Sequence, residues 1–394
     1  MQPTPLKTKL ESGLAFAANQ NLYRSRRVTE GPQAVNVVVD GKPYVNFCSN
    51  DYLGLANHPD VCRVFKNAVD QYGLGSGSAH LICGHSRAHH ALEEELAAFT
   101  GRERALLFSS GYMANLACIS TLAGNSDTVF EDRLNHASLI DGGLLSGANF
   151  KRYRHGDVGH LEALLMKATN HFKLIVTDGV FSMDGDTAPL QQLAELAQTW
   201  KAVLVVDDAH GFGVIGTQGR GLVYDQNLSQ DEVPVLVGTL GKSFGSFGAF
   251  VSGSNELIET LIQQARTYIY TTAMPSAIAE ATRVSLKLLM QDDWRRDKLH
   301  ALVNQFRVGA EQIGLNLLPS LSPIQPVLIG DNLKTLLACR ALMAQGFLVG
   351  AIRPPTVPKG SARLRITFSA NHEPNQVDRL LDALKLALHE SAKS

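Results

Sequence analysis

Short apolar runs alternate along the chain with longer stretches in which apolar residues recur every three or four positions. Arg104 to Ser109 (RALLFS), Thr128 to Glu131, Leu174 to Thr177 (LIVT), Val203 to Asp207 (VLVVD) and Val235 to Thr239 (VLVGT) have the length and apolar content of buried strands. Ala114 to Ala123, Leu161 to Thr169 and Leu190 to Trp200 carry the stripe of an amphipathic helix. The alternation predicts a mostly parallel α/β sheet covered on both faces. Ahead of it, Leu6 to Arg24 reads as a helix. Val35 to Val39 and Tyr44 to Phe47 read as a hairpin turning at Asp40-Gly41. After Met274-Pro275 a long helical pattern runs to about Ile313. Strand candidates at Pro326 to Ile329 and Arg363 to Phe368 and a helix from Gln376 to His389 complete a smaller α+β domain. The expected division is 1–48 for the N-terminal helix and hairpin, 49–285 for the large domain and 286–394 for the small one.

Composition narrows the class. In 394 residues, 36 Lys+Arg face 37 Asp+Glu for a formal net charge of −1, which excludes the basic surplus of a nucleic-acid binder. At 45% hydrophobic and 19% charged, the chain has enough apolar surface for a large core. No run approaches the ~18 apolar residues of a membrane span, and Leu14 to Ala18 is too brief for a secretory signal. Five scattered cysteines (Cys48, Cys62, Cys83, Cys118, Cys339) without a C-x-x-C pair argue against a disulfide framework or a structural zinc. A cytoplasmic protein with no membrane or nucleic-acid partner is expected.

Several signatures fail on inspection. Gly73-Leu-Gly75-Ser-Gly77-Ser78 lacks the last glycine of a dinucleotide loop and follows a helical pattern instead of a strand. Gly241-Lys242-Ser243 lacks the first glycine of a P-loop. His85 and His89 stand four apart without the adjoining glutamate of a metalloprotease, so a capped helix start is expected and no metal.

Polar residues at the carboxyl ends of the expected strands are more telling, because ligands bind at that edge of a parallel sheet. Asp207-Asp208-Ala209-His210-Gly211 delivers a carboxylate and an imidazole into the crevice, and Thr239-Leu240-Gly241-Lys242 delivers an amine among small residues. Ser109-Ser110-Gly111-Tyr112 joins a strand to a helix and offers free backbone N–H groups to an anion. An amine, a carboxylate and an anion-binding helix start are together the parts that hold pyridoxal 5'-phosphate.

Val205 to Val214 (VVDDAHGFGV) and Gly238 to Lys242 (GTLGK) resemble the α-oxoamine synthases, fold-type-I aminotransferase-like acyltransferases that use pyridoxal phosphate. So do Asn50 to Leu55 (NDYLGL), the Gly75-Ser76-Gly77 loop, His89 to Leu96, Asp132 to Ser138 (DRLNHAS) and Asp178 to Asp186 (DGVFSMDGD). The resemblance implies that Lys242 carries the cofactor aldehyde and moves the α-proton, that Asp207 pairs with the pyridine nitrogen, and that His136 stacks on the ring. It further implies that His210 meets the ring's phenolic oxygen, that Ser182, Gly111 and Tyr112 contact the cofactor, and that Thr239 reaches the phosphate. Thr271 and Thr272 would complete the phosphate site of a neighbouring subunit, which implies a homodimer with shared active sites. Arg353 would hold the amino-acid carboxylate, while Arg24, Asn50 and Ser76 would line the substrate entrance. Ala351 to Pro358 (AIRPPTVP) points to those members that condense L-alanine with a pimeloyl thioester, on coenzyme A or a carrier protein, in biotin synthesis. Condensation of glycine with acetyl-CoA or succinyl-CoA is the alternative, because Gly77 is followed here by Ser78-Ala79 where the family has glycine and then a hydroxyl residue.

Overall fold

The computed structural model describes residues 4–393, with side chains through residue 390; Met1 to Pro3 of the N-terminal segment lie outside the described residues. Two compact units form, Asn50–His300 on one hand and the residues up to Ser49 with those from Ala301 onward on the other. The hairpin segment thus shares a unit with the C-terminal region, and residues 286–300 go with the large unit. The expected division had set residues 1–48 apart and had begun the small domain at 286.

The large unit is built on a seven-stranded sheet. Its spatial order is Arg104–Phe108, Ala249–Gly253, Val235–Thr239, Val203–Asp207, Lys173–Asp178, Thr128–Asp132, Asn149–Tyr153. Ala249–Gly253 runs antiparallel to both neighbours; every other pairing is parallel. The middle strands are apolar throughout because helices cover both faces, and Leu204, Val205 and Val206 are fully buried. Two strands carried no signal. Asn149–Tyr153 is an edge strand that buries only Tyr153, so its composition reads as loop. Ala249–Gly253 is short, follows Gly248 and ends in a glycine.

Helix Gly111–Leu122 begins three residues before its expected start, at Ser110, whose Oγ accepts the Met113 N–H at 3.3 Å. Helix Ala137–Leu145 packs tightly on it. A Cβ at Gly142 would lie 2.9 Å from Ile119 Cδ1, so only glycine allows this approach, and one at Gly143 would lie 2.5 Å from Phe150 on the edge strand. The long helical pattern after Pro275 is two helices, Ser276–Gln291 and Asp293–Gln312, broken at the non-helical Asp292.

In the smaller unit, strands Asn36–Val39 and Lys42–Asn46 form the expected hairpin, with Asp40 and Gly41 both at positive φ (49° and 74°), the geometry a two-residue turn requires. Phe347–Leu348 adds to it in parallel. A separate antiparallel sheet orders Ile324–Gly330, Ala362–Thr367 and Gly350–Ile352. Helix Pro5–Asn19 stops short of the expected Arg24, since Asn21 takes a positive φ of 55° that ends a helix. None of its residues is buried.

Candidate active site

Register places Asp178 opposite Asp207, and Asp207 opposite Val237, so two carboxyl groups leave the sheet side by side next to the strand that leads to Lys242. Asp207 is 6% exposed, and such a charge needs donors. Its Oδ1 accepts the Ala209 N–H at 3.0 Å and its Oδ2 accepts Asn115 Nδ2 at 2.6 Å. The same Asn115 amide donates to Ser138 Oγ at 2.8 Å, and Ser138 Oγ lies 2.7 Å from His136 Nδ1. The close helix pairing at Gly142 brings Ser138 over Asn115. Asn115 was not singled out in the sequence. The available signal was a polar residue on the core side of an apolar helix.

His136 is fixed from two directions. Its backbone N–H donates to Asp178 Oδ2 at 2.6 Å, and its Nδ1 accepts from the Ser138 N–H at 3.3 Å, which assigns the proton of the neutral ring to Nε2. Burial lowers the His136 pKa; Asp207 opposes this and the Lys242 cation adds to it, so both groups lie within electrostatic reach of the imidazole. Burial and the adjacent Asp207 hold Asp178 well above the usual carboxylate range.

Asp208, next to Asp207, is fully buried, with Oδ2 accepting the Leu222 N–H at 2.6 Å. Burial pushes its pKa up to about 8. Three glycines hem it in: a Cβ at Gly211, Gly221 or Gly179 would lie 2.0, 2.2 or 2.9 Å from a carboxyl oxygen. The glycine after His210 is therefore a packing requirement. His210 itself lies with Nδ1 at 2.7 Å from the Tyr52 hydroxyl, which reaches Asn50 Oδ1 at 3.2 Å.

Lys242 sits half-buried in the turn after Val235–Thr239, its carbonyl accepting the Gly245 N–H at 2.8 Å. Gly245 has φ 63°, and a Cβ there would lie 2.3 Å from the Ala56 nitrogen, so the turn presses against backbone. Thr239 Oγ1 accepts the Gly241 N–H at 3.3 Å. A Cβ at Gly111 would meet only Thr239, at 4.0 Å, so the helix start and the threonine flank open room of the kind a phosphate needs. Tyr112 is 40% exposed, and its hydroxyl donates to Asp141. Ser182 is half-buried in the turn between Phe181 and Asp186. Buried carboxylate, half-buried amine, neutral imidazole and open helix start together fit pyridoxal phosphate.

Ser76 Oγ donates to the Met274 carbonyl at 2.5 Å, tying its loop to the segment that carries the half-buried Thr271 and the exposed Thr272. At the helix start beyond, the His89 ring accepts the Ser86 N–H on Nδ1 at 3.0 Å and faces the Met274 carbonyl with Nε2 at 2.7 Å, an arrangement that caps the helix. In the smaller unit, Arg24, Arg27, Arg340 and Arg353 line a cavity of about 660 Å³ together with Cys48 and Cys339. One Arg353 Nη donates to the Asn21 carbonyl, while its Nε is buried with no hydrogen-bond partner among the described residues. Burial and the neighbouring Arg24 lower the Arg353 pKa.

Residues 42–384 match the aminotransferase class I and II family. An 8-amino-7-oxononanoate synthase from Methylococcus capsulatus is 61% identical over 381 residues, covering 97% of this chain and 98% of its own. One from Cellvibrio japonicus is 57% identical over 390 residues, covering 99% and 98%. Among solved structures, a serine palmitoyltransferase from S. paucimobilis with a bound PLP–myriocin aldimine matches with a TM-score of 0.93 at 30% identity, over 100% of both chains. An 8-amino-7-oxononanoate synthase from Francisella tularensis matches with a TM-score of 0.78 at 33% identity, over 89% of this chain and 99% of its own. A strand-end carboxylate and a turn-borne amine within reach of one imidazole accord with these likenesses, and the chain belongs to the aminotransferase class I and II family, among the 8-amino-7-oxononanoate synthases.

Proposed function

We propose that the protein condenses L-alanine with a pimeloyl thioester, releasing the thiol and carbon dioxide, to form 8-amino-7-oxononanoate for biotin synthesis. The observation that carries this reading is the chain Asp207–Asn115–Ser138–His136 at the carboxyl edge of the sheet, within electrostatic reach of Lys242. Pyridoxal 5'-phosphate, when bound, supplies the electron sink for charge released at the substrate α-carbon.

Lys242 would hold the cofactor covalently and would carry the α-proton on Nζ. Asp207, oriented by Asn115 and the Ala209 N–H, would favour a protonated pyridine nitrogen by opposite charge. His136, His210, Ser182, Gly111 and Tyr112 would hold the cofactor ring, and Thr239 would reach its phosphate. Arg353 takes the amino-acid carboxylate, for which its buried Nε, without a partner among the described residues, is suited. Arg24, Asn50 and Ser76 line the substrate entrance. Thr271 and Thr272 serve the phosphate site of a second copy, making the working unit a homodimer.

Thiol release from purified protein, with alanine or glycine against pimeloyl, acetyl and succinyl thioesters, tests the reading after the absorbance spectrum is recorded. Release with alanine and a pimeloyl thioester, on coenzyme A or on carrier protein, is expected. A colourless protein, or release confined to glycine, refutes it. Light scattering of the holoenzyme is expected to give twice the chain mass of 42.6 kDa.

A further inference from the structure

His155 stands outside the residues assigned above, yet its side chain joins two of their loops. Its Nδ1 lies 3.0 Å from Asp132 Oδ1 and its Nε2 lies 2.8 Å from Asp186 Oδ2. Carboxylates only accept, so an imidazole bonded to two of them must donate from both nitrogens and carry a positive charge. Burial alone would lower the His155 pKa, but hydrogen bonds and charge from the two aspartates outweigh it and push it up to about 10. The Phe181 ring stands perpendicular to the imidazole, with centroids 4.4 Å apart at 89°.

Each aspartate organises a different loop. Asp132, 1% exposed at the end of its strand, accepts the Leu134 N–H on Oδ1 at 2.8 Å and the Gly156 N–H on Oδ2 at 2.8 Å. It thereby shapes the turn Arg133-Leu134-Asn135 that ends in His136. Asp186 closes the other turn: its carbonyl accepts the Phe181 N–H at 2.9 Å, so the backbone bearing Ser182 loops between Phe181 and Asp186. Phe181 therefore touches His155 directly while its neighbour is Ser182.

We propose that His155 is a positioning residue, a charged clip between Asp132 and Asp186 that holds the His136 loop and the Ser182 loop in fixed register. This rests on the reading that His136 and Ser182 face the cofactor. The clip is worth one or two charge-assisted hydrogen bonds, and its loss should lower kcat by about 10- to 100-fold.

The test uses holoenzyme carrying His155→Phe, Asp186→Ala or Asp186→Asn. Phenylalanine keeps the ring volume and removes both donors. Asparagine lets a neutral imidazole accept from the amide while still donating to Asp132, so the bridge survives without its charge. Expected for His155→Phe and Asp186→Ala are a kcat lower by about 10- to 100-fold, weaker retention of pyridoxal phosphate on dialysis and a displaced cofactor absorbance band. The KM for the acyl thioester should stay unchanged. Asp186→Asn should recover kcat to within about three-fold of wild type. Folded variants with wild-type kcat, cofactor retention and spectrum overturn the clip, as does a loss of thermal stability alone. So does Asp186→Asn behaving no better than Asp186→Ala. A wild-type protein that neither binds the cofactor nor releases thiol instead refutes the reading beneath it, and the clip falls with it.

Discussion

Adding one methyl group at Gly211 is the sharpest perturbation the site offers. A Cβ there would stand 2.0 Å from Asp208 Oδ1, 2.8 Å from Cγ and 3.1 Å from Oδ2. The carboxyl group has nowhere to swing: Gly221 and Gly179 approach it from other sides, Oδ2 is held by the Leu222 N–H at 2.6 Å, and the residue is fully buried. Either the carboxyl moves and loses that bond, or the Ala209-His210-Gly211 backbone moves and carries His210 with it. Overpacking of this kind costs about 3 kcal/mol, or a Tm lower by about 6–12 °C in a unit of this size. Thermal unfolding of Gly211→Ala checks the first number, and kcat should fall as well. Truncating the obstacle decides the cause: with Asp208→Ala in the background, the cost of Gly211→Ala should shrink by at least about 1 kcal/mol. Strictly additive effects, or a Gly211→Ala protein with unchanged Tm and kcat, would refute the reasoning.

Asn115→Leu keeps the buried volume but removes a donor 2.6 Å from Asp207, so kcat should drop about 10- to 100-fold while the fold is retained by circular dichroism. Lys242→Ala should lower thiol release by at least about 10³-fold and change the cofactor spectrum. Arg353→Gln should raise the KM for alanine about ten-fold or more, with a smaller effect on the KM for the thioester. His155 has its pKa raised from 6.5 to about 10 by folding, so its contribution to stability is complete below pH 6.5 and is lost as pH rises through about 10. The Tm of wild type should therefore fall more between pH 7 and 10 than that of His155→Gln, and equal slopes would contradict the paired geometry.

The strands that carry chemistry were legible because they are buried on both faces. Val203–Asp207 and Val235–Thr239 have apolar runs that begin and end where the structure has them, and the polar residues that follow read as a ligand edge. Asn149–Tyr153 was not legible, since an edge strand with three of its five residues open to solvent needs no apolar pattern. Ala249–Gly253 returns antiparallel within an otherwise parallel set, and nothing local in five residues distinguishes that direction. Asn115 and His155 escaped for a different reason. Each acts through partners 23 to 92 residues away, and a side chain's hydrogen-bonding duty has no periodicity to betray it.

The chain by itself determined which elements exist and which residue types stand at their ends, because burial period and strand-end polarity are local properties. It also carried the strings DDAHG and GTLGK, whose likeness reached the family. Tertiary structure decided the rest: that Asp207 takes its donor from a helix 92 residues earlier, that glycine at 142 lets two helices close enough to pass a hydrogen bond to His136, and that His155 spans two loops. Those are matters of ångström-scale approach between distant segments, and close packing sets them only when the whole core is assembled.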